Sequence, residues 1–147
     1  MDIRVIGCKD KALETELYSA TRFFASELLS KKMIPHISVE IVMKTKIKDL
    51  GNCVCTFTND YYKPREFEIQ LRRHRSLANT LKTLAHEMVH LKQFAKDELK
   101  VDHSKWKGES IDLEQIEYSD YPWEIEATSL ENILYNLYLE HDKQNQI

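Results

Sequence analysis

The chain has 147 residues, of which 42% are hydrophobic and 31% are charged, and its formal net charge at pH 7 is -3. This length suits one domain with a sizeable core and is short for two, so we expect a single domain over residues 1–147. The composition excludes collagen-like and disordered chains, and the negative net charge disfavours nucleic-acid binding driven by overall charge.

The N-terminal segment MDIRVIGCKDK places charged residues within its short apolar run. A signal peptide needs a longer apolar core, and a membrane span needs roughly 20 apolar residues, a length that no later stretch approaches. We therefore expect a cytoplasmic protein that makes no membrane contact. Three cysteines are an odd number, which predicts free thiols rather than a framework of disulfides.

The first half of the chain predicts one helix followed by three strands. Apolar residues spaced by three and four predict a helix over residues 10–33, ended by Pro35. Residues 36–43, 52–58 and 65–71 then alternate apolar and polar side chains with the period of a strand. The short loops between them favour a small, mostly antiparallel sheet with one face in water. The side chains expected on its buried face are Ile37, Val39, Ile41, Met43, Cys53, Cys55, Phe57, Phe67, Ile69 and Leu71.

The second half predicts two helices joined by a long connection. One helix begins after Ser76 as N-cap and runs to about Leu99. The other runs from Pro122 to about Glu140, and the tail from about residue 141 is expected to be frayed. Residues 100–121 show no periodicity, and connections this long in compact domains are often functional. The two predicted apolar stripes are Leu77, Leu81, Leu84, Met88, Leu91 and Ala95, and Trp123, Ala127, Leu130, Leu134 and Leu137.

The segment TLAHEMVHLKQ, residues 83–93, places His86 and His90 one turn apart, with Glu87 directly after the first histidine. At about 100° per residue, the histidines share a sector distinct from the leucine stripe and the lysines, so we expect them to face a cleft. This spacing lets both imidazoles reach one zinc ion at about 2.1 Å, with the glutamate placed to take a proton from water that the metal acidifies. Because so short a motif also arises by chance, the alternative is an ordinary amphipathic helix.

A catalytic zinc needs a third protein ligand and keeps its fourth position for water. The continuation that metzincins use requires a glycine at position 93 and a histidine at position 96, where this chain has Gln93 and Lys96. The nearest downstream histidine is His103, and Glu124 and Glu126 lie on the third predicted helix.

LAHEMVHLKQ followed by PWEIEA resembles the small zinc metallopeptidases of the gluzincin type, especially SprT-like minimal domains and small phage-encoded metallopeptidases. The similarity covers roughly residues 35–135. It implies a zincin fold, one zinc ion and a third ligand that is a glutamate on a later helix. Gluzincins with a Glu-x-x-Ala signature use its first glutamate, which implies Glu124. SprT-like enzymes often use a histidine, which leaves His103 open, and helix geometry favours Glu126 because it lies nearer the apolar stripe.

Four further features carry weaker functional interpretations. Tyr118 and Tyr121 precede the third helix and could donate a hydrogen bond to an oxyanion, although such tyrosines more often pack. The basic segment LRRHR, residues 71–75, could contact a phosphate backbone, but a solvated turn is favoured because no aromatic residues are interleaved. Cys53 and Cys55 lack a second ligand pair and are interpreted as core. The strand EFEIQL could pair with an extended peptide if it lies at a sheet edge.

These observations together predict an α+β, zincin-like domain that hydrolyses peptide bonds in a protein or peptide substrate. We expect His86, His90 and Glu124 to bind one Zn²⁺ ion and Glu87 to act as general base. The alternative is a non-enzymatic module of the same fold that binds a protein or nucleic-acid partner, a use for which Glu87 would be unnecessary.

Overall fold

The computed structural model describes residues 1–59 and 62–145 and has an α+β architecture, as predicted. Its sheet strands are β1 (Asp2–Ile6), β2 (Ser38–Lys44), β3 (Gly51–Thr58) and β4 (Pro64–Arg72). Its helices are α1 (Lys11–Leu28), α2 (Leu77–Ala95) and α3 (Pro122–Asn145). A small hairpin of β5 (Lys105–Trp106) and β6 (Glu109–Ser110) lies between α2 and α3. Within the described ranges, no helix is long and apolar enough to cross a membrane.

The sheet has four strands and is mixed, so the predicted three-stranded, mostly antiparallel sheet was wrong. The strand order is β1-β2-β4-β3, in which β1, β2 and β4 are parallel and β3 is antiparallel to β4. The strand that sequence analysis missed is β1, whose alternation covers only five residues. Helix α1 is the crossover that makes β1 and β2 parallel neighbours. Strand β4 lies inside the sheet, where it pairs with β2 on one edge and with β3 on the other.

The register places apolar side chains in rows across the sheet. Val5, Ile41, Ile69 and Cys53 are successive partners across the four strands, and both isoleucines are fully buried. Side chains that alternate with them on β2 and β4 are partly exposed, which confirms the predicted wet face. Phe57 was expected to be buried, but the register of β3 shifts between residues 55 and 57, and Phe57 is 57% exposed.

Helix boundaries differ from the predicted ones where local turns intervene. Helix α1 is capped by the Asp10 side chain and ends at Leu28, five residues before the predicted end, because Leu29 has an extended backbone. Helix α2 begins after its predicted cap, Ser76, whose side chain accepts a hydrogen bond from the backbone of Asn79. It ends at Ala95, since the chain turns at Asp97 with a positive φ of 60°.

Helix α3 is longer than predicted and buries a different residue near its end. It continues to Asn145, so the prediction of a frayed tail from residue 141 was wrong for residues 141–145. Residues 146–147 lie outside the described part of the chain. Tyr138 is buried, whereas Leu137, which the stripe placed in the core, is 44% exposed. The Tyr138 hydroxyl donates a hydrogen bond to Glu16 on α1 at 2.6 Å, and its ring contacts Phe23 and Phe24.

Helix α2 is the central element of the core. It packs on β3 and β4 with one side and contacts α1 and α3 with others. Four of the six residues of its predicted stripe are at most 1% exposed, and Leu77 at the first turn is the exposed exception. This position surrounds α2 with the sheet and the other two helices, so that side chains on several of its faces are buried.

We expect Tyr138→Ala to lower the free energy of unfolding by about 3–5 kcal/mol, because it opens a large cavity where α1 and α3 meet. Leu137→Ala, the adjacent substitution on the exposed side, should cost less than about 1 kcal/mol. Urea denaturation of both variants followed by circular dichroism measures the difference. Equal losses for the two would contradict this packing of α3.

Candidate metal centre

Glu87 and His90 of α2 line a cleft between β3 and α3, and His86 lies one turn before His90. Strand β3 approaches α2 closely one turn before His86, at Gly51. A Cβ atom on this glycine would lie only 2.7 Å from the Thr83 methyl carbon and 2.9 Å from the Gln70 carbonyl oxygen. Glycine is therefore required at the start of β3, and it lets the strand form one wall of the cleft beside the histidines.

Three side chains from two helices converge in a triangle, each histidine through its Nε2 atom and Glu124 through both carboxylate oxygens. His86 Nε2 and His90 Nε2 are 3.2 Å apart. One Glu124 oxygen lies 3.1 Å from His86 Nε2, and the other lies 3.0 Å from His90 Nε2. Among the residues that the structure describes, these three form the group of histidine, cysteine or acidic side chains that could hold a metal ion.

The size of this triangle fits a small tetrahedral ion. Ligand atoms at about 2.1 Å from a tetrahedral zinc lie about 3.4 Å from one another, close to the separations found here. Two imidazole nitrogens and one carboxylate oxygen are also a ligand set found in catalytic zinc sites. The three side chains are 10–18% exposed, so an ion between them would be shielded from bulk water but reachable from the cleft.

The charges in the triangle stabilise one another. Burial alone would raise the pKa of Glu124, but hydrogen bonds and attraction from His86 and His90 outweigh burial and hold that pKa well below its usual range. Burial opposes protonation of His90, yet the interactions with Glu124 and the charge of Glu87 raise its pKa. The position between these groups is therefore one where a positive charge is strongly favoured.

Glu87 occupies a different environment from Glu124, although both border the cleft. It is 6% exposed, and its burial raises its pKa to about 7 despite the attraction of the two histidines. A carboxyl with this pKa can exchange a proton near neutral pH, as a general base or acid must. Cys53 lies nearby on β3, and burial, with the charge of Glu87, keeps its thiol neutral.

Two residues that sequence analysis kept as alternative ligands lie elsewhere. Glu126 pairs with Lys92, whose Nζ is 2.6 Å from the carboxylate, and accepts a hydrogen bond from Gln93. His103 lies on the far wall of the cleft, where its ring stacks on Trp123 at a centroid distance of 5.7 Å and an interplanar angle of 7°. Neither belongs to the converging group. Glu126 does lie near the apolar stripe of α3, but it pairs there with Lys92 and not with a metal ligand.

The long connection supplies the other wall of the cleft. The cleft has a volume of about 220 Å³ and is lined on this side by Leu113, Tyr118 and Tyr121. The Tyr121 hydroxyl points towards the Leu113 carbonyl oxygen at 3.5 Å. Desolvation of the hydroxyl and the charge of Glu124 raise the pKa of Tyr118, although the residue is 66% exposed. Of the two tyrosines, Tyr118 is therefore the one whose hydroxyl senses the charge of Glu124.

The β5–β6 hairpin at the start of this connection packs against α3. Its turn residues Lys107 and Gly108 both have positive φ, 49° and 86°, as tight hairpin turns require. The ring of Trp106 lies 6.2 Å from that of Trp123, which supports packing rather than a mobile lid for this segment.

The arginines of the basic segment donate hydrogen bonds to other parts of the chain, both to a loop and to helix α2. Arg72 donates hydrogen bonds to the carbonyl oxygens of Ile47 and Lys48 at 2.8 and 2.7 Å. Arg75 donates to the Thr83 hydroxyl at 2.6 Å. Because Arg72 holds the loop that brings Asp49 to the cleft, the segment contributes to the shape of the site.

Strand β3, and not the strand EFEIQL, forms the sheet edge beside the site. EFEIQL belongs to β4, which is paired on both sides, whereas β3 is paired with β4 alone. Residues 51–53 of β3 line the cleft, so unpaired backbone groups lie next to the candidate metal position.

No protein-family model, curated protein or solved structure matches this chain.

Elemental analysis of zinc-saturated, desalted protein tests the ligand set. We expect one zinc ion per chain in the wild type and its loss in His90→Ala and Glu124→Ala, because each removes one of three ligands. The variants Glu126→Ala and His103→Ala should retain the ion and act as controls. Zinc retained in Glu124→Ala but lost in His103→Ala would show that the ligand set is wrong.

Proposed function

We propose that this protein is a zinc-dependent metallopeptidase with a zincin-like fold of the gluzincin or SprT-like type. The observation that carries the proposal is the convergence of His86, His90 and Glu124 within 3.0–3.2 Å of one another, with Glu87 buried beside them. The His-Glu-x-x-His pattern and the first glutamate of PWEIEA supply the residues of this arrangement, as the gluzincin resemblance implies.

The proposed reaction divides the chemistry between the metal position and Glu87. When bound, zinc would polarise the scissile carbonyl group and acidify a water molecule. Glu87 takes the proton of that water as it attacks the carbonyl carbon, and then delivers the proton to the nitrogen of the leaving amine. The burial of Glu87, which raises the pKa of its carboxyl group, supports this role in proton transfer. The carbon–nitrogen bond breaks, and the products are a free carboxylate and a free amine.

Tyr118 is the proposed donor to the substrate oxygen. Attack by water places negative charge on the carbonyl oxygen, and a hydrogen-bond donor at that point lowers the barrier. Tyr118 lines the cleft with Glu124, and the effect of the Glu124 charge on the Tyr118 pKa supports this assignment. The raised pKa keeps the Tyr118 hydroxyl protonated. Tyr121 is less suited because its hydroxyl is directed to the Leu113 carbonyl group.

The proposed substrate is an extended segment of protein or peptide. The free edge of β3 offers backbone N–H and C=O groups that can pair with an added strand, which is a common mode of peptide recognition. Because residues 51–53 of that edge line the cleft, a peptide paired there would pass in front of the candidate metal position. This geometry favours unfolded segments or exposed loops over folded surfaces.

A purely binding role is less well supported than catalysis. A structural zinc site normally has four protein ligands, whereas the candidate group among the described residues has three. A fourth position would be directed to the cleft. The burial of Glu87, which raises its pKa and so costs stability above neutral pH, also has no purpose in a binding module.

Replacing Glu87 with glutamine should separate metal binding from hydrolysis. We expect Glu87→Gln to retain one zinc ion but to cleave peptides about 100- to 10,000-fold more slowly, because the amide cannot accept the proton of water. Glu117→Gln, which removes an exposed carboxylate of the connection before α3, is the matched control and should cleave at the wild-type rate. Cleavage of a defined peptide library is followed by mass spectrometry. Wild-type turnover by Glu87→Gln, or an inactive zinc-loaded wild type, would refute the proposal.

The role of Tyr118 predicts a difference between two single-atom deletions. Tyr118→Phe should lower kcat by about 100- to 1,000-fold with little change in KM, because the lost hydrogen bond forms only as charge develops. Tyr121→Phe removes the same atom from the neighbouring ring and should leave kcat near the wild-type value. The reverse ranking, measured on one peptide substrate, would assign the donor to Tyr121.

A further inference from the structure

Gln93 is a fully buried polar residue on α2 that the proposed reaction does not use. Its exposed fraction is 0%, and it lies one turn after His90. A buried carboxamide needs partners for both ends of the group, because an unsatisfied donor or acceptor in the core is destabilising. Its partners therefore reveal what constrains it.

The partners of Gln93 determine which way its amide points. Its Nε2 lies 3.0 Å from the carbonyl oxygen of Trp123 and 3.1 Å from a carboxylate oxygen of Glu126. Both neighbours can only accept, so the NH₂ group must face them. The amide oxygen then faces His90 Nδ1 at 2.8 Å, and Nδ1 must carry the proton of the neutral imidazole.

This tautomer leaves the other ring nitrogen of His90 as the one with a lone pair. That atom, Nε2, is the one directed at Glu124 and His86 in the converging group. A lone pair and a carboxylate oxygen 3.0 Å apart repel one another unless a proton or a metal ion lies between them. The hydrogen bond that Gln93 accepts from His90 Nδ1 thus leaves Nε2 as the nitrogen that a metal ion would require.

Gln93 also connects the two helices that supply the ligands. Its oxygen contacts His90 on α2, and its nitrogen contacts the backbone of Trp123, the residue before Glu124 on α3. Glu126, the second acceptor, is itself fixed by Lys92, which is 11% exposed and also pairs with Glu98 at 2.8 Å. Gln93 therefore constrains both the orientation of the His90 ring and the position of the first turn of α3, which carries Glu124.

We propose that Gln93 is a positioning residue for the metal centre, which it serves by holding His90 in the Nδ1–H tautomer and by tying α2 to the first turn of α3. The metal-affinity part of this inference rests on the proposed zinc site. The tautomer part does not, because it follows from the contacts of Gln93 alone. Among the described residues, His86 has no equivalent partner at Nδ1, where the Glu131 carboxylate is 3.8 Å away.

Zinc affinity, measured by competition with a chromophoric chelator, tests the first consequence. Gln93→Leu keeps a side chain of similar volume but removes the hydrogen bonds of both the amide oxygen and the amide nitrogen. It should weaken zinc binding about 10- to 100-fold. Thr80→Val removes another buried polar group from α2, one that donates to Ser76 at 2.9 Å, and should leave zinc affinity unchanged. Equal weakening in the two variants would reduce Gln93 to a structural residue and overturn the proposal.

A double variant tests whether the contacts themselves matter. Gln93→Glu alone keeps an acceptor for His90 but places two carboxylates against each other, so it should bind zinc more weakly than the wild type. Adding Glu126→Gln exchanges the carboxamide and the carboxylate between the same two positions and restores a donor between them. We expect the double variant to recover part of the lost affinity but not all of it, because a carboxylate at position 93 cannot donate to the Trp123 carbonyl oxygen. No recovery at all, with the protein folded by circular dichroism, contradicts the proposed network.

Long-range ¹H–¹⁵N correlation spectra of the histidine rings test the second consequence without any metal or substrate. At a pH where His90 is neutral, the wild type should show the Nδ1–H tautomer, and Gln93→Leu should show a mixture. A wild type in the Nε2–H tautomer overturns the proposal, even if Gln93→Leu does not fold. If the wild type binds no zinc but has the Nδ1–H tautomer, the proposed function fails while the role of Gln93 in orienting His90 stands.

Discussion

The contact between the second half of α2 and the first turn of α3 brings together groups that are 38 residues apart in the chain, His86 and Glu124. Charged and polar side chains take part in this contact, where Lys92 pairs with Glu126 and Gln93 donates a hydrogen bond to the Trp123 backbone. Such groups are costly to bury unless every partner is present, so the two helices have few alternative arrangements. The geometry of the candidate metal centre depends on this restriction.

Two glutamates at the same cleft have opposite protonation preferences because their surroundings differ. Glu124 is held ionised by the two histidines that flank it, as a metal ligand should be. Glu87 lies between α2 and β3, where burial outweighs the same histidines and raises its pKa to about 7. Environments that separate the pKa values of neighbouring carboxyl groups are typical of sites where one group binds and the other transfers protons.

The main fold elements were accessible to sequence analysis because their signals are local. The apolar stripes of α1 and α2 and the alternation of β2 and β4 require only neighbouring residues, and each was placed within a few positions. The pairing of the strands was not accessible. A short strand such as β1 has too few residues for a clear period, and whether β2 pairs with β3 or with β4 depends on how the whole core is buried. The exposed Phe57 has the same origin, since a bulge is a feature of pairing.

Sequence by itself determined that His86 and His90 lie on one side of one helix, with Glu87 towards the edge of that side, because the helical repeat fixes the angles between residues. The sequence did not determine whether Glu124 or Glu126 of the third helix faces the histidines. Residues two apart on a helix point in nearly opposite directions, so only one of the two can do so. Tertiary structure decided this by giving Glu126 a lysine partner and turning Glu124 towards the histidines. The sequence likewise did not predict the role of Gln93 in orienting His90. A glutamine contributes nothing to the apolar periodicity, and its role depends on hydrogen-bond acceptors of a helix 30 residues away.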